Sequence, residues 1–415
     1  MRFLAAAGLA LALTIAGTTQ GRANDFIRIG VVYSFTGPSK KSGLDAAAAI
    51  EIAADIVNKP HKGLEALPLG AGQGLPNLGN DLIQVIAADH QDNPSVAQSQ
   101  VLRLIGQNQV VALIGAGEGA ATLAATAAAE HHGVPFLAPD ATEPKITGRG
   151  FKWVFRTTPL ASDLTKAYMQ FLTAQKAGGT KVDTIALVFE KTARGASTEA
   201  ALRDAAKAAG IDIVTEIGYA PDGIDLSAQV KELRNKNPDV AIFISDGADA
   251  SLFIKTMKSI DYKPPILIGD DDGFSDPGFV AADGNLAQGL IDRSVWSVGD
   301  ADSPSAIVNG LYKAKTGHDL DDTSARVLQG FLVLAAAINR AGSTDPAAIQ
   351  KALRETDLKP DQLIVGYDGV KFDASGQNTL AGTYLTQLRG KQYVTVWPPE
   401  RTAGKLVLPY KAWQQ

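Results

Sequence analysis

The sequence predicts an α/β protein of two doubly wound lobes, each built on a parallel sheet with helices on both faces. Short apolar runs rich in β-branched residues alternate with Ala-rich stretches of helical length along most of the chain. Strands that alternate with helices of about 10 to 15 residues are typical of parallel sheets with right-handed crossovers. This alternation occurs in two separate series, and 415 residues suffice for two domains.

The first series covers residues 27–138 and predicts one parallel sheet. Its elements are strand 27–33, helix 45–58, strand 82–88, helix 94–107, strand 110–114, helix 122–132 and strand 134–138. Residues 63–79 are rich in Gly, Pro and Leu and interrupt the series. Because these residues punctuate regular structure, the segment is predicted to be a surface insertion.

The second series predicts another parallel sheet, followed by a helical segment and a hairpin. It comprises helix 162–174, strand 184–189, helix 197–209, strand 212–216, helix 226–235, strand 240–245, helix 248–260 and strand 265–268. Three helices at 303–316, 323–340 and 346–355 precede short strands near 370–372, 384–388 and 393–397. Strands so close together in sequence favour a hairpin.

The N-terminus has the pattern of a signal peptide. Arg2 precedes an uncharged apolar run, residues 3–16, which is too short to span a bilayer. Gly21 and Ala23 are small residues that suit a cleavage site after Ala23; the alternative is a retained anchor or a disordered tail. Because the chain has no Cys, it can form no disulfide and carry no lipid on a cysteine, and a soluble periplasmic protein is expected.

Charge and motif content exclude several functions. With 39 basic and 44 acidic residues the net charge is −5, and no basic stripe suits nucleic acid or an anionic membrane. The chain has no G-x-S-x-G motif and no Cys nucleophile, and its five His residues lack zinc-site spacing. We therefore expect a non-enzymatic protein with no cofactor and no metal.

One motif supports a rival function. Residues 115–120 match G-x-G-x-x-A after a predicted strand, and Asp140 lies at about the distance expected of a ribose-binding acid. This pattern would suit an exported dinucleotide-dependent oxidoreductase. Against it, the signal lacks a twin arginine and the loop is not the first strand-to-helix turn.

Five segments resemble the Leu/Ile/Val-binding family of periplasmic receptors. Residues 29–38 read IGVVYSFTGP, and further landmarks follow in the family's order at 112–115, 134–139, 155–159 and 269–274. The resemblance implies a type I periplasmic binding protein, or Venus flytrap, that closes over a small ligand and docks as a monomer on an inner-membrane ABC permease. It also implies a chain that crosses between lobes three times. Lobe 1 would hold 24–155 and 293–362, and lobe 2 would hold 156–292 and 363–415.

The resemblance assigns lobe-1 contacts to two loops after strands, where open parallel sheets bind ligands. In the family, the loop Gly117, Glu118 and Gly119 binds an α-carboxylate, since glycines and a helix N-terminus expose backbone N–H groups. The family usually has a hydroxyl residue near position 118. Glu118 would repel an anionic ligand unless it turned away or held a cationic group.

The second lobe-1 loop is Asp140, Ala141 and Thr142, which matches the family segment that offers a carbonyl and a Thr hydroxyl. The alternative for Thr142 is to cap a helix whose first turn contains Pro144. Phe35 is a candidate apolar lining residue. Tyr33 is a candidate for the same role or for the core.

In lobe 2, Arg194 stands where the family commonly has an aromatic residue. It would pair with a ligand carboxylate or with Glu118, or else be a solvated surface residue. Asp271 and Asp272 match the acid that pairs with a ligand ammonium; a metal site and a solvated turn are the alternatives.

Ser245 and Asp246 follow a predicted strand on the same side of lobe 2. The predicted ligand is a small polar metabolite, an amino acid, amide or organic acid. A receptor that delivers it to an ABC importer is the preferred function, and a sensor module that docks on a membrane receptor is the alternative.

Overall fold

The computed structural model describes residues 26–413 except 222, 246 and 271, so the predicted signal peptide lies outside the described residues. Two large sheets dominate the described part. The strands are β1 Phe26–Tyr33, β2 Leu82–Asp89, β3 Ala112–Gly115, β4 Phe136–Ala138, β5 Val154–Arg156, β6 Thr184–Glu190, β7 Asp212–Tyr219, β8 Val240–Ile244, β9 Ile266–Asp270, β10 Ile291–Ser294, β11 Asp357–Leu358, β12 Val370–Lys371, β13 Tyr384–Arg389 and β14 Gln392–Trp397. Of these, β11 and β12 form a separate antiparallel pair, and the others belong to the two large sheets.

Helices cover both sheets. They are α1 Lys40–Asn58, α2 Pro94–Gly106, α3 Gly119–His132, α4 Ala161–Ala177, α5 Ala193–Ala209, α6 Ser227–Lys236, α7 Gly247–Ser259, α8 Asp272–Ser275, α9 Pro277–Asp283, α10 Pro304–Thr316, α11 Asp322–Ala341 and α12 Pro346–Arg354. None of the helices within the described residues is long and apolar enough to cross a membrane.

The first lobe is built on a five-stranded parallel sheet of order β2-β1-β3-β4-β5. Helices α1, α11 and α12 pack on one face, and α2 and α3 pack on the other. Helix α11 is nearly enclosed, with 15 of its 20 residues buried. This strand order reverses between β1 and β3, which is where doubly wound sheets open a crevice for ligands.

The second lobe repeats the plan. Its sheet has the order β14-β13-β10-β9-β8-β6-β7, parallel from β10 to β7, with β13 and β14 added as an antiparallel hairpin. Its reversal point lies between β6 and β8. The predicted fold class, two doubly wound α/β lobes, is confirmed, and so is the C-terminal hairpin of β13 and β14.

The segment 63–79 is only partly a surface insertion. Leu64 and Leu75 have no exposed area and Leu67 is 3% exposed, because all three join the core on the α1 and α11 face of the first sheet. The prediction of a purely surface segment is therefore wrong for these leucines. Their apolar side chains extend the core beyond the edge strand.

The lobe boundaries at 155/156, 292/293 and 362/363 stay predictions. Leu363, Ile364 and Val365 are buried in the core of the first lobe, together with Phe372. Since Tyr384 begins a strand of the second sheet, this packing favours a third crossing between residues 372 and 384.

Candidate functional site

The loop after β1 is held at the crevice by two aspartates, one that ends β2 and one that follows it. Asp89 accepts hydrogen bonds from the Phe35 backbone N–H at 2.9 Å and from the Thr36 hydroxyl at 2.7 Å. Asp92 accepts one from the Ser39 N–H at 2.9 Å. Burial acts to raise the pKa of Asp89, but these donors outweigh it and hold that pKa below its ordinary value. Phe35 is thereby fixed, half-buried, at the rim of the crevice.

The loop after β3 brings Glu118 to a buried histidine. Helix α3 starts at Gly119, three residues earlier than predicted, and Glu118 is its N-cap residue. Its Oε2 lies 3.1 Å from Nε2 of His90, which is fully buried and also contacts the Ala116 carbonyl oxygen at 2.9 Å. Burial acts to lower the pKa of His90, but the adjacent Glu118 carboxylate outweighs it and the pKa is raised.

Gly117 leaves space beside the next loop. Its φ of +82° is in the left-handed region that favours glycine. A Cβ at this position would lie 3.4 Å from the Tyr33 ring and 3.8 Å from Oδ2 of Asp140. The loop backbone therefore passes directly over the Tyr33 and Asp140 side chains.

Asp140 is a buried acid whose charge is disfavoured. It is 9% exposed, Tyr33 donates its hydroxyl to Oδ2 at 3.2 Å, and Arg326 donates to its backbone oxygen at 3.0 Å. Burial raises the pKa of Asp140 to about 6; Arg326 lowers it and Glu118 adds to the rise. Tyr33 thus belongs to the core and contacts the predicted site through its hydroxyl.

The other two residues of this loop differ in exposure. Ala141 is buried, while Thr142 is half-buried. The alternative in which Thr142 caps a helix is wrong, because the 3-10 turn Pro144–Ile146 has Glu143 at its cap position and makes no side-chain cap bond. This removes the structural competitor to a binding role for Thr142.

In the second lobe, Arg194 lies in the first turn of α5, which begins at Ala193 rather than near 197. Its side chain is 41% exposed, and Nη2 is 3.9 Å from Oε1 of the buried Glu190. The same Glu190 oxygen accepts the Thr192 hydroxyl at 2.8 Å. Arg194 therefore stands at the reversal point of the second sheet, beside an acid of its own lobe.

Ser245 is buried below the crevice of the second lobe and is not exposed on the crevice surface. It has no exposed area, and its Oγ accepts the Tyr219 hydroxyl at 2.8 Å. Asp246 and Asp271 lie outside the described residues, and Asp272 begins α8 with a side chain that is not described. Their predicted ligand contacts stay predictions, as do those of the other candidate residues.

A buried ionic network joins the two lobes, and sequence reasoning missed it. Asp270, at the end of β9, accepts the Tyr168 hydroxyl at 2.7 Å and pairs with Arg293 of β10. Arg293 Nη1 is 3.7 Å from Oδ2 of Asp322 at the start of α11, and Arg326 Nε is 3.2 Å from the same oxygen. Since Arg326 also binds the Asp140 backbone, the network runs from the second sheet to the first-lobe site.

A second contact between lobes is exposed. Lys41 Nζ, on α1, lies 3.0 Å from Oδ2 of Asp276, the N-cap of α9. Lys41 follows the carboxyl end of β1 and Asp276 follows that of β9. The loops at the carboxyl ends of the strands in the two sheets therefore face each other. Two surface hollows, of about 310 Å³ and 420 Å³, are separate from these facing loops, because no candidate contact residue lines either of them.

The family model described as periplasmic binding protein matches residues 27–392. The chain belongs to the periplasmic binding protein family. The resemblance seen in the sequence is thereby confirmed. Members of this family are extracytoplasmic receptors for small solutes and work with ABC permeases, which gives this periplasmic binding protein its general function.

Curated relatives match nearly the whole length of this periplasmic binding protein. The Leu/Ile/Val-binding protein homolog 8 of Brucella suis is 29% identical over 98% of both chains. Homolog 7 of the same organism is 28% identical over 97% of this chain and 98% of its own. These matches confirm the Leu/Ile/Val-binding class that the sequence motifs indicate.

Solved structures share the fold of this periplasmic binding protein. A branched-chain amino acid transporter substrate-binding protein from Streptococcus pneumoniae, in complex with isoleucine, has a TM-score of 0.73 at 20% identity and covers 93% of this chain and 100% of its own. A solute-binding protein from R. palustris, in complex with benzoate, has a TM-score of 0.71 at 20% identity, with coverage of 94% and 98%.

The fold assembles the candidates of this periplasmic binding protein in two groups. Phe35, the 117–119 loop and the 140–142 loop surround the reversal point of the first sheet. Arg194 and Ser245 flank that of the second. His90 was missed because its link to Glu118 joins loops far apart in sequence; its position just after a strand was the available signal.

Proposed function

We propose that this protein captures a small polar ligand between its two lobes and delivers it, as a soluble monomer, to an ABC permease of the inner membrane. The single observation that carries the proposal is the position of the described candidate residues, which follow the carboxyl ends of strands at or next to the reversal point of each sheet. The 3.0 Å contact between Lys41 and Asp276 supports an arrangement in which these loops face each other. Hinge closure around a ligand then supplies the signal that a permease recognises.

The proposed ligand carries a carboxylate or an amide. Two related structures hold isoleucine and benzoate, and a third, from Rhodopseudomonas palustris, holds 3,4-dihydroxybenzoic acid. Arg194 and Thr142 are the proposed contacts to the acidic end, since an exposed guanidinium and a hydroxyl both bind carboxylates. Asp246, Asp271 and Asp272 are proposed to bind any cationic end.

The remaining proposed contacts are backbone and apolar groups: Gly117, Gly119, Ala141 and Phe35. We further propose export through a signal peptide cut after Ala23, and no catalysis. The buried Tyr33 and Asp140 pair supports a structural role for Asp140 rather than ribose binding, because its Oδ2 already accepts the Tyr33 hydroxyl.

A thermal-shift screen of amino acids, amides and organic acids on the mature protein tests the proposal. A ligand at 100 times its Kd adds about 2.7 kcal/mol to the free energy of unfolding. Calorimetry on each hit then compares Thr142→Ala and Arg194→Ala with Arg203→Ala, a matched control on the same helix whose guanidinium pairs with Glu216. We expect the first two to weaken binding at least tenfold and the control to leave it unchanged.

Two results would contradict the proposal. Unchanged affinity in both Thr142→Ala and Arg194→Ala would remove the assigned contacts. Chemical conversion of a hit by the isolated protein, detected by mass spectrometry, would remove the receptor function.

A further inference from the structure

A mixed cluster of potential metal ligands lies at the carboxyl edge of the first sheet. His90 and Asp92 follow β2, and Glu118 follows β3, the two strands that flank β1. One ligand atom from each of the three side chains lies within 4.8 Å of the other two. The parallel sheet produces this meeting, because the ends of neighbouring strands share one edge.

The polar atoms of the cluster are incompletely paired. The Glu118 Oε2 atom is buried and accepts no hydrogen bond within the described part of the chain, although His90 Nε2 is only 3.1 Å away. That nitrogen already meets the Ala116 carbonyl oxygen at 2.9 Å. The His90 Nδ1 and Asp92 Oδ1 atoms are likewise buried without a partner among the described residues. Buried polar atoms are normally paired, so the two orphan carboxylate oxygens, of Glu118 and Asp92, beside the fully buried His90 point to a shared cationic partner.

We propose that His90, Asp92 and Glu118 bind a divalent first-row transition metal ion. One imidazole and two carboxylates form a donor set that suits Zn²⁺, Co²⁺ or Mn²⁺. Zinc lies about 2.0 to 2.2 Å from such atoms, so two donors at a tetrahedral angle are roughly 3.3 Å apart. The 3.1 Å between His90 Nε2 and Glu118 Oε2 is close to that separation.

The ion explains why a carboxylate is tolerated in this loop. Bound through Nε2, it takes the place of the proton that His90 otherwise shares with the Ala116 carbonyl, and it supplies a partner for the orphan oxygens of Glu118 and Asp92. It also cancels the charge with which Glu118 repels an anionic ligand. Metal binding itself does not depend on the proposed function.

The test uses the mature protein, free of any tag and stripped with a chelator, and no organic ligand. Zinc chloride is titrated by calorimetry, and the visible absorption of added Co²⁺ reports its coordination. We expect one site per chain, with affinity reduced at least tenfold by Glu118→Gln and by Asp92→Asn. His61→Gln is the matched control, because His61 pairs with the carboxylate of Asp55 at 3.0 Å on the opposite end of α1, and it should leave the affinity unchanged.

The outcomes separate cleanly. Circular dichroism checks that each variant is folded; the side chain of Glu118 is 34% exposed, so its substitution disturbs packing less than that of the fully buried His90 would. No saturable binding of Zn²⁺ or Co²⁺ would overturn the proposal. Binding that persists unchanged in folded Glu118→Gln and Asp92→Asn would overturn it equally, because the ion would then lie elsewhere.

Discussion

Replacing Asp140 with Asn tests whether the buried carboxyl of the first-lobe site destabilises the folded protein at neutral pH. Burial raises the pKa of Asp140 from 3.8 to about 6. A difference of roughly two pKa units between unfolded and folded states corresponds to about 3 kcal/mol. The folded protein therefore loses about that much free energy of unfolding when Asp140 ionises.

The sign follows from which state holds the proton more tightly. Folded Asp140 binds its proton more tightly than unfolded Asp140, so its contribution is full below about pH 4 and is lost as the pH rises through 6. Asn carries no charge at any pH, and its Oδ1 can still accept the Tyr33 hydroxyl. We expect the variant to match the natural protein at pH 4 and to gain up to about 3 kcal/mol at pH 8.

Urea unfolding of the mature protein from pH 4 to pH 8, followed by circular dichroism, measures this difference. Asp239→Asn is the control of opposite sign: burial acts to raise the pKa of Asp239, but Lys181 and two backbone N–H donors lower it overall. That variant should be less stable at pH 8, with a deficit that shrinks towards acid. If Asp140→Asn gains nothing at pH 8, or gains equally at every pH, the reasoning is refuted.

Three further predictions concern the lobe junction and the core. Arg293→Met leaves the buried carboxylate of Asp270 without its cation, while Asp322 keeps Arg326, and should cost about 3 to 5 kcal/mol of unfolding free energy; a loss below about 1 kcal/mol in denaturant unfolding would contradict this. Lys41→Gln removes an exposed contact between lobes and should weaken ligand binding by at most about fivefold at low salt, with the effect vanishing in calorimetry at high salt. Gly330→Ala puts a Cβ 2.5 Å from that of Pro139 and should cost about 1 to 3 kcal/mol. Gly310→Ala, with open space around it on α10, should gain about 0.5 to 1 kcal/mol; equal thermal unfolding of the two variants would show that the contact is absent.

Local patterns predicted the elements well and their ends less well. Helix α3 starts three residues earlier than expected and α5 four, because Glu118 and Thr192 take the cap positions. Thr192 accepts a hydrogen bond from the Gly195 N–H at 3.0 Å, which is an ordinary N-cap that the sequence offered. Strand β10 was not predicted, since its four residues, IDRS, lack an apolar run.

The sequence by itself determined the class of protein: periodicity defined two doubly wound lobes, and short motifs in a fixed order identified the family. These signals are local, because they depend on residues a few positions apart. The pairing of His90 with Glu118, the burial of Asp140 under Tyr33 and the Asp270, Arg293 and Asp322 network were decided only by the tertiary structure. Each joins residues more than 20 positions apart in the chain, and parallel sheets bring such residues together at one edge although no local sequence pattern says which of them will pair.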